Sequence, residues 1–309
     1  MPVNKTAKKT IELILEKNAS IPDEGYQLQV SPTAVVIRAG SYGGIFYGMQ
    51  SLLQILPQTR TNAALQVPCM QISDYPRFKW RGMHLDVSRH FFSAAVVKEY
   101  IDLMASYKMN TFHWHLVDDQ GWRIEIKSFP NLTKKGAFNV KKIGRFTEFS
   151  KPEPNEPRDF GGFFTQDDIR ELVHYAKDRF VNIMPEIDVP GHSMAAVASY
   201  PELSCTPEAV NYQVISGEPF IDWSTDHAVA LQDNTLCPAN EKVYTFLDKV
   251  FGEVSALFPF EYIHMGGDEC PKNYWDKNPQ IQALRIKEGL KNSQEVQAYF
   301  TRRLEKIIT

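Results

Sequence analysis

The chain has 309 residues, with 34 Lys or Arg against 37 Asp or Glu and a formal net charge of −3. With both signs interspersed and no basic stripe, nucleic acid is excluded as a partner class. No apolar run reaches the ~20 residues of a membrane span, and no signal-like apolar core follows Met1, so the chain is expected to be cytosolic or to have lost a leader that preceded it.

Hydrophobic residues at 43% and charged residues at 23% are an ordinary globular composition, with length for one large or two smaller domains. Aromatics at 12% suit a cleft lined by ring faces. Residues 11–15, 26–30 and 34–38 read as strands, with Ser31-Pro32 as a turn. Gly40, Gly43 and Gly44 read as a loop, and apolar spacing from Ile45 to Leu56 predicts a helix stopped by Pro57. This makes a small α+β domain over residues 1–72.

From Arg81 the pattern becomes strand–helix alternation. Residues 81–87 predict a strand with Met83, Leu85 and Val87 on one face. Ser93 caps a helix to about Tyr107, with Val97, Ile101 and Met104 in one stripe. Residues 111–117 are the next strand. A long irregular stretch, about 119–164, follows. Thr165 to Asp168 is a capping box, with a helical stripe from Ile169 to Phe180. Residues 181–189 are a third strand, 191–238 a loop, and Asn240 caps a third helix. Residues 262–265 predict a fourth strand and 293–308 a last helix. The four cysteines form no CxxC pair, which argues against a zinc knuckle or a redox motif. Cys205 and Cys237 flank a loop-like stretch, and both a disulfide in an oxidising compartment and free thiols remain open.

Four β/α units with buried strands mean an α/β sheet or a (β/α)8 barrel. Polar clusters stand at every strand's carboxyl end: Arg89-His90, Asp118-Asp119, Asp188 with His192, and Asp268-Glu269 behind Gly266-Gly267. Chemistry drawn from four strand ends favours a barrel over a sheet with one switch point. So many acids in one mouth force at least one pKa upward, which suits a general acid. Carboxylic acids, an Arg, a His and aromatic rings suit a sugar. Neighbouring strand residues point opposite ways, so Asp268 and Glu269 share the site only if the glycines bend the strand end. Adjacent acids also make a poor retaining pair, whose members sit about 5 Å apart across the sugar. A scheme without a protein nucleophile fits better. The rival is a metal-dependent barrel hydrolase: His113 and His115 share a strand face, and Asp118, His192 and Asp268 would complete a shell. His84, His174 and His264 read as structural or surface residues.

The stretches RGMHLDVSRHFF (81–92), NTFHWHLVDDQGWRIEI (110–126), PEIDVPGHS (185–193) and HMGGDE (264–269) resemble, in order, those of glycoside hydrolase family 20, the β-N-acetylhexosaminidases. The preceding small unit is similar to that family's N-terminal α/β domain. The resemblance implies hydrolysis of terminal non-reducing N-acetyl-β-D-hexosamine residues of an oligosaccharide or glycoconjugate, with retention and substrate-assisted catalysis. It implies Glu269 as general acid and base, and Asp268 holding the 2-acetamido group as its oxygen attacks C1 to give an oxazolinium. Asp118 and His192 would form a relay to Glu269. Arg89 would bind the 3- and 4-hydroxyls, and Asp188 and His115 would support the pocket. No metal or cofactor is implied, and the compartment is expected to be periplasmic, secreted or lysosome-like. The family's later strands, with the Trp walls and the Tyr on the acetamido oxygen, have no counterpart here. Residues 73–309 are therefore expected to be a (β/α)8 TIM-type barrel truncated after four β/α units. A non-catalytic sugar-binding or assembly fragment is the further alternative.

Overall fold

The computed structural model of the protein describes residues 9–17, 20–57, 66–145, 148–224 and 229–309. They fall into two compact units: residues 1–83, 99–111 and 175–182, and residues 84–98, 112–174 and 183–309.

In the first unit, β1 (Thr10–Leu15), β2 (Tyr26–Val30) and β3 (Ala34–Ala39) form where they are predicted. Helix α1 (Tyr42–Ile55) starts three residues earlier than expected, capped by Ser41, whose Oγ accepts from Gly44 N at 3.1 Å. Gly43 and Gly44 are thus its first turn, not a loop. The reason is steric: a Cβ on Gly44 would lie 2.2 Å from the Gly25 carbonyl oxygen, so only glycine lets the helix close on the start of β2. A strand absent from the sequence reading, β4 (Met70–Asp74), joins the sheet in the order β1-β3-β2-β4. β2 alternates buried and exposed residues, which sends Tyr26, Leu28 and Val30 into a core with Ile37, Ala39, Ile45 and Tyr47.

Further along come β5 (Gly82–Asp86), α2 (Ala94–Ser106) and β6 (Thr111–Asp118). Val97, Ile101 and Met104 of α2 are buried as the stripe predicts. On β5 the expected apolar face fails at Met83, which is 43% exposed, while Val87 is buried. The 119–164 stretch is not structureless. It holds β7 (Gly121–Trp122), α3 (Asn131–Lys134), β8 (Phe138–Asn139) and β9 (Phe160–Gly161), and it buries Trp122, Ile124, Leu132 and Phe164. Helix α4 (Gln166–Lys177) has its capping box, with Asp168 accepting from Thr165 N at 2.8 Å and Thr165 Oγ1 accepting from Asp168 N at 3.1 Å. It ends before Phe180, which is left-handed at φ 58°.

The third strand is β10 (Asn182–Ile187). It sits beside β6, and β6 beside β5. Asn110 N bonds to Arg81 O and Val87 N to His115 O, so β5 and β6 run in step, parallel. The predicted fourth strand is reduced to a parallel bridge of His264 with Glu186, continued by Val189 N to Met265 O at 3.1 Å. It cannot lengthen because Gly266 and Gly267, at φ 63° and 110°, turn the chain at once. Strands added one after another, in chain order, are the progression of a barrel wall. β6 is buried on nearly every residue, as parallel strands covered on both faces are.

The 191–238 loop contains α5 (Met194–Ser199), β11 (Ile221–Asp222) and β12 (Val229–Ala230). Cys205 and Cys237 are joined in a disulfide, which settles the open alternative. α6 (Glu241–Leu257) starts at Asn240, which accepts from Lys242 N. α7 (Pro279–Glu288) was not anticipated, although Asn278 before Pro279 and a left-handed Gly289 bound it. α8 (Ser293–Ile308) matches its predicted range and buries Val296, Phe300 and Leu304. Among the described residues no helix is long and apolar enough to cross a membrane.

Candidate active site

Of the seven residues that the resemblance implies, six stand at or just past the carboxyl ends of β5, β6, β10 and the His264 bridge, His115 lies within β6, and all seven are in the second unit. Asp118, at the end of β6, is the hub. It is 1% exposed. Its Oδ2 receives Arg89 Nη1 at 2.7 Å and His115 Nε2 at 2.9 Å. Its Oδ1 receives His192 Nδ1 at 3.2 Å and the Asp119 N–H at 2.6 Å. Burial alone would raise its pKa, but the donors from His115 and His192 and the charge of Arg89 outweigh burial and hold it well below the usual carboxylate range.

His192 faces two carboxylates on one side, Asp118 and, at 3.3 Å, Asp119. Burial disfavours the imidazolium, yet these two acids lift its pKa to about 12, so the ring is charged at neutral pH. On its other side Nε2 points at Glu269 Oε2, 3.6 Å away, and Asp268 Oδ2, 3.9 Å away. Consecutive residues therefore do face one ring. The left-handed backbone of Gly266, Gly267 and Glu269, with φ 63°, 110° and 45°, breaks the strand alternation that would have separated them. His192 is itself left-handed at φ 48°.

Asp188 is 2% exposed and accepts the Gly267 N–H at 2.9 Å. Burial, with the charges of Asp268 and Asp118 added, pushes its pKa up to about 7 against the opposing pull of His192 and Gly267. The expected rise thus falls on Asp188, and on Asp119, which burial and Asp118 also raise. Gly266 is obligatory beside it: a Cβ there would stand 1.8 Å from Asp188 Oδ1.

Arg89 is set by Asp86, which accepts the backbone N–H groups of Ser88 and Arg89 and pairs with Arg89 Nη1 at 3.0 Å. His115 is buried, with Nδ1 on Glu186 at 2.8 Å and Nε2 on Asp118. Both ring nitrogens are spent on protein acids, which leaves neither for a sugar hydroxyl.

Four residues of the site escaped sequence reasoning. Asp86 orients Arg89. Glu186, two positions before Asp188 on β10, is buried and gathers His113, His115 and His264 within 3.0 Å; the period-2 acids of PEID were the available signal. Asn234 donates to both oxygens of Asp119. Arg123 is buried against backbone carbonyls, donating to Val87 O at 3.1 Å and Ser88 O at 2.6 Å, and also to Ala137 O. It thereby braces the segment that carries Arg89. Nothing in the sequence separates Arg123 from a surface arginine.

The rival metal shell of His113, His115, Asp118, His192 and Asp268 does not gather as one set. Among the described residues, donor atoms within 4.8 Å of one another come in smaller sets, such as His113 with Glu186 and His264, or Asp118 with Asp119 and His192. In these sets the imidazole nitrogens already face carboxylates. Beside Glu269 a hollow of about 500 Å³ is lined by Trp223, Gly267, Lys272, Asn273 and Gln297. A larger one, about 940 Å³, runs along Cys205, Thr206 and Asn240 and touches none of the seven site residues.

Comparison with known proteins places the chain in a family. Residues 78–309 match the model of glycosyl hydrolase family 20, catalytic domain, and residues 1–75 match its domain 2. A beta-hexosaminidase of Porphyromonas gingivalis is 40% identical over 93% of this chain and 34% of its own length. One of Vibrio furnissii is 40% identical over 96% of this chain and 45% of its own length. The structure of a GH20 exo beta-N-acetylglucosaminidase from Vibrio harveyi, in complex with N-acetylglucosamine, superposes with a TM-score of 0.81 at 40% identity, covering 96% of this chain and 44% of that one. The chain thus spans a third to under a half of the length of these relatives. Two family matches that together span most of the chain, and a small domain followed by a TIM-type barrel catalytic domain, carry one conclusion: the chain belongs to glycosyl hydrolase family 20.

Proposed function

We propose that this chain carries the acid–base end of a retaining β-N-acetylhexosaminidase that removes terminal non-reducing N-acetyl-β-D-hexosamine residues from oligosaccharides or glycoconjugates. The observation that carries the reading is the convergence of Asp268 and Glu269 on the single imidazolium of His192. Two acids presented side by side leave no separate nucleophile across the sugar, so the substrate supplies its own.

In this scheme Glu269 gives its proton to the leaving glycosidic oxygen as the C1–O bond breaks. The 2-acetamido carbonyl oxygen bonds to C1, and Asp268 holds the acetamido N–H and faces the positive charge of the oxazolinium. Glu269, now a carboxylate opposite His192, takes a proton from water, whose oxygen attacks C1 and reopens the ring with net retention. Arg89 binds the 3- and 4-hydroxyls, and Asp118 ties Arg89 to His192. Asp188 braces Gly267 under the two acids. The β/α units of this chain are the first four of a (β/α)8 wall. The Cys205–Cys237 bridge supports a periplasmic, secreted or lysosome-like compartment.

The test is hydrolysis of a chromogenic N-acetyl-β-glucosaminide by the wild type and Glu269→Gln, with and without a chelator. Turnover that survives chelation and drops at least about 100-fold in the variant, the scale of lost acid–base catalysis, supports the reading. Turnover lost to the chelator alone restores the metal-dependent hydrolase. A second reading is favoured by the exposure of the Asp268 and Glu269 side chains, 67% and 51%: a sugar-binding module, which would bind N-acetylglucosamine without turnover.

A further inference from the structure

Glu186 is a buried carboxylate that the proposed chemistry does not use. It is 4% exposed, on β10, with three imidazoles around it: His113 Nε2 at 2.6 Å, His115 Nδ1 at 2.8 Å and His264 Nδ1 at 3.0 Å. An isolated buried carboxylate is costly, so three partners explain how it persists. They do not explain why one of them, His115, continues into the site.

From Glu186 three hydrogen-bonded contacts run in series, His115 Nδ1 at 2.8 Å, His115 Nε2 to Asp118 Oδ2 at 2.9 Å and Asp118 Oδ1 to His192 Nδ1 at 3.2 Å, and a longer charge contact, His192 Nε2 to Glu269 Oε2 at 3.6 Å, completes the path. Acid and imidazole alternate along the whole path. Asp118 is where it forks, because the same Oδ2 that takes His115 also takes Arg89 Nη1. We propose that Glu186 and His115 are positioning residues: Glu186 holds His115 doubly protonated, and His115 sets the Asp118 carboxylate so that one oxygen fixes the sugar-binding Arg89 while the other fixes His192 behind the acid Glu269. The effect on turnover rests on the hexosaminidase reading; the effect on the rings does not.

The surroundings of His115 agree. Asp118 on its own strand, and Glu186 and Asp188 from β10, present carboxyl groups to it. Against them, the Arg89 guanidinium stands with Nη1 3.0 Å from Nε2, sharing Asp118 with it, and the His84 ring, from β5, has its centroid 5.8 Å off. Burial disfavours the charged ring, but the hydrogen bonds it donates to Asp118 and Glu186 lift its pKa to about 10. A ring with one proton could donate to only one of these acids; a doubly protonated ring donates to both.

The test uses nitrogen-15 NMR of the imidazoles in folded protein at pH 8, with kinetics alongside, for Glu186→Gln, His115→Gln and His113→Gln. In the wild type both His115 nitrogens carry protons. In Glu186→Gln, which removes one of the two acids that accept from the ring, His115 is expected to lose one proton. The His192 resonances should shift in both Glu186→Gln and His115→Gln, while His113→Gln, which removes a partner of Glu186 off the path, leaves them in place. Catalytic efficiency should fall about 10- to 100-fold in the first two, a loss of the size a misplaced catalytic group produces. Should Glu186→Gln fail to fold, His115→Gln against His113→Gln carries the comparison. His115 staying doubly protonated without Glu186, or His192 shifting equally in His113→Gln, overturns the proposal. A wild type without turnover whose rings respond as described would refute the hexosaminidase reading and leave the coupling established.

Discussion

Asp188→Asn isolates one cost of building this site. The carboxyl is 2% exposed, and burial, then neighbouring acids, raise its pKa from 3.8 to about 7. In the unfolded chain it ionises near 3.8, so between about pH 4 and 7 the folded state binds a proton that the unfolded state has released. Its contribution to stability is therefore whole below 3.8 and is lost as pH rises through 7. At about 1.4 kcal/mol per pKa unit, the loss amounts to roughly 4 kcal/mol. Asn carries no proton, and its side-chain oxygen can still accept the Gly267 N–H. Urea denaturation from pH 4.5 to 7.5 should show wild-type stability falling by several kcal/mol relative to the variant, with the variant the more stable at pH 7.5. The slopes from His115 and His192, whose folded values of about 10 and 12 cost stability only as pH climbs above about 6.5, are common to both proteins. Parallel pH curves, or a variant less stable at pH 7.5, would refute the reasoning.

Gly266→Ala should cost about 2–4 kcal/mol and at least about tenfold in turnover, because left-handed alanine is strained and its Cβ would drive into Asp188; thermal melts and kinetics check both. Cys205→Ser with Cys237→Ser opens a link of sequence separation 32 and should cost about 3–4 kcal/mol. Wild type in strong reductant should then melt with the double variant, and an unchanged melt on reduction would show that the bridge contributes nothing.

Much of the second unit was readable because its signals are local. Thr165 and Asp168 form the capping box their spacing announces, and the α8 stripe matches Val296, Phe300 and Leu304. The acids at the strand ends were legible because β/α alternation makes their position a matter of counting. Three things were not. Gly43 and Gly44 look like a turn by composition yet open a helix, and Gly44 is required there by its approach to Gly25, a distant contact. The fourth strand has β-compatible residues yet makes a single bridge, since two left-handed glycines follow it. Arg123 and Glu186 are charges whose burial is decided entirely by tertiary partners, and periodicity carries no trace of that.

The left-handed backbone at Glu269 has an evolutionary consequence. Residues other than glycine, asparagine, aspartate and histidine resist that conformation, so selection for activity keeps Glu269 an amino acid that the backbone disfavours, at a cost of order 1–3 kcal/mol. A gene copy released from that selection would drift toward Gly or Asn there and gain stability as it lost its acid. Asn or Gly at that position would then mark a silenced copy, and its higher melting temperature would be the record of the strain it shed.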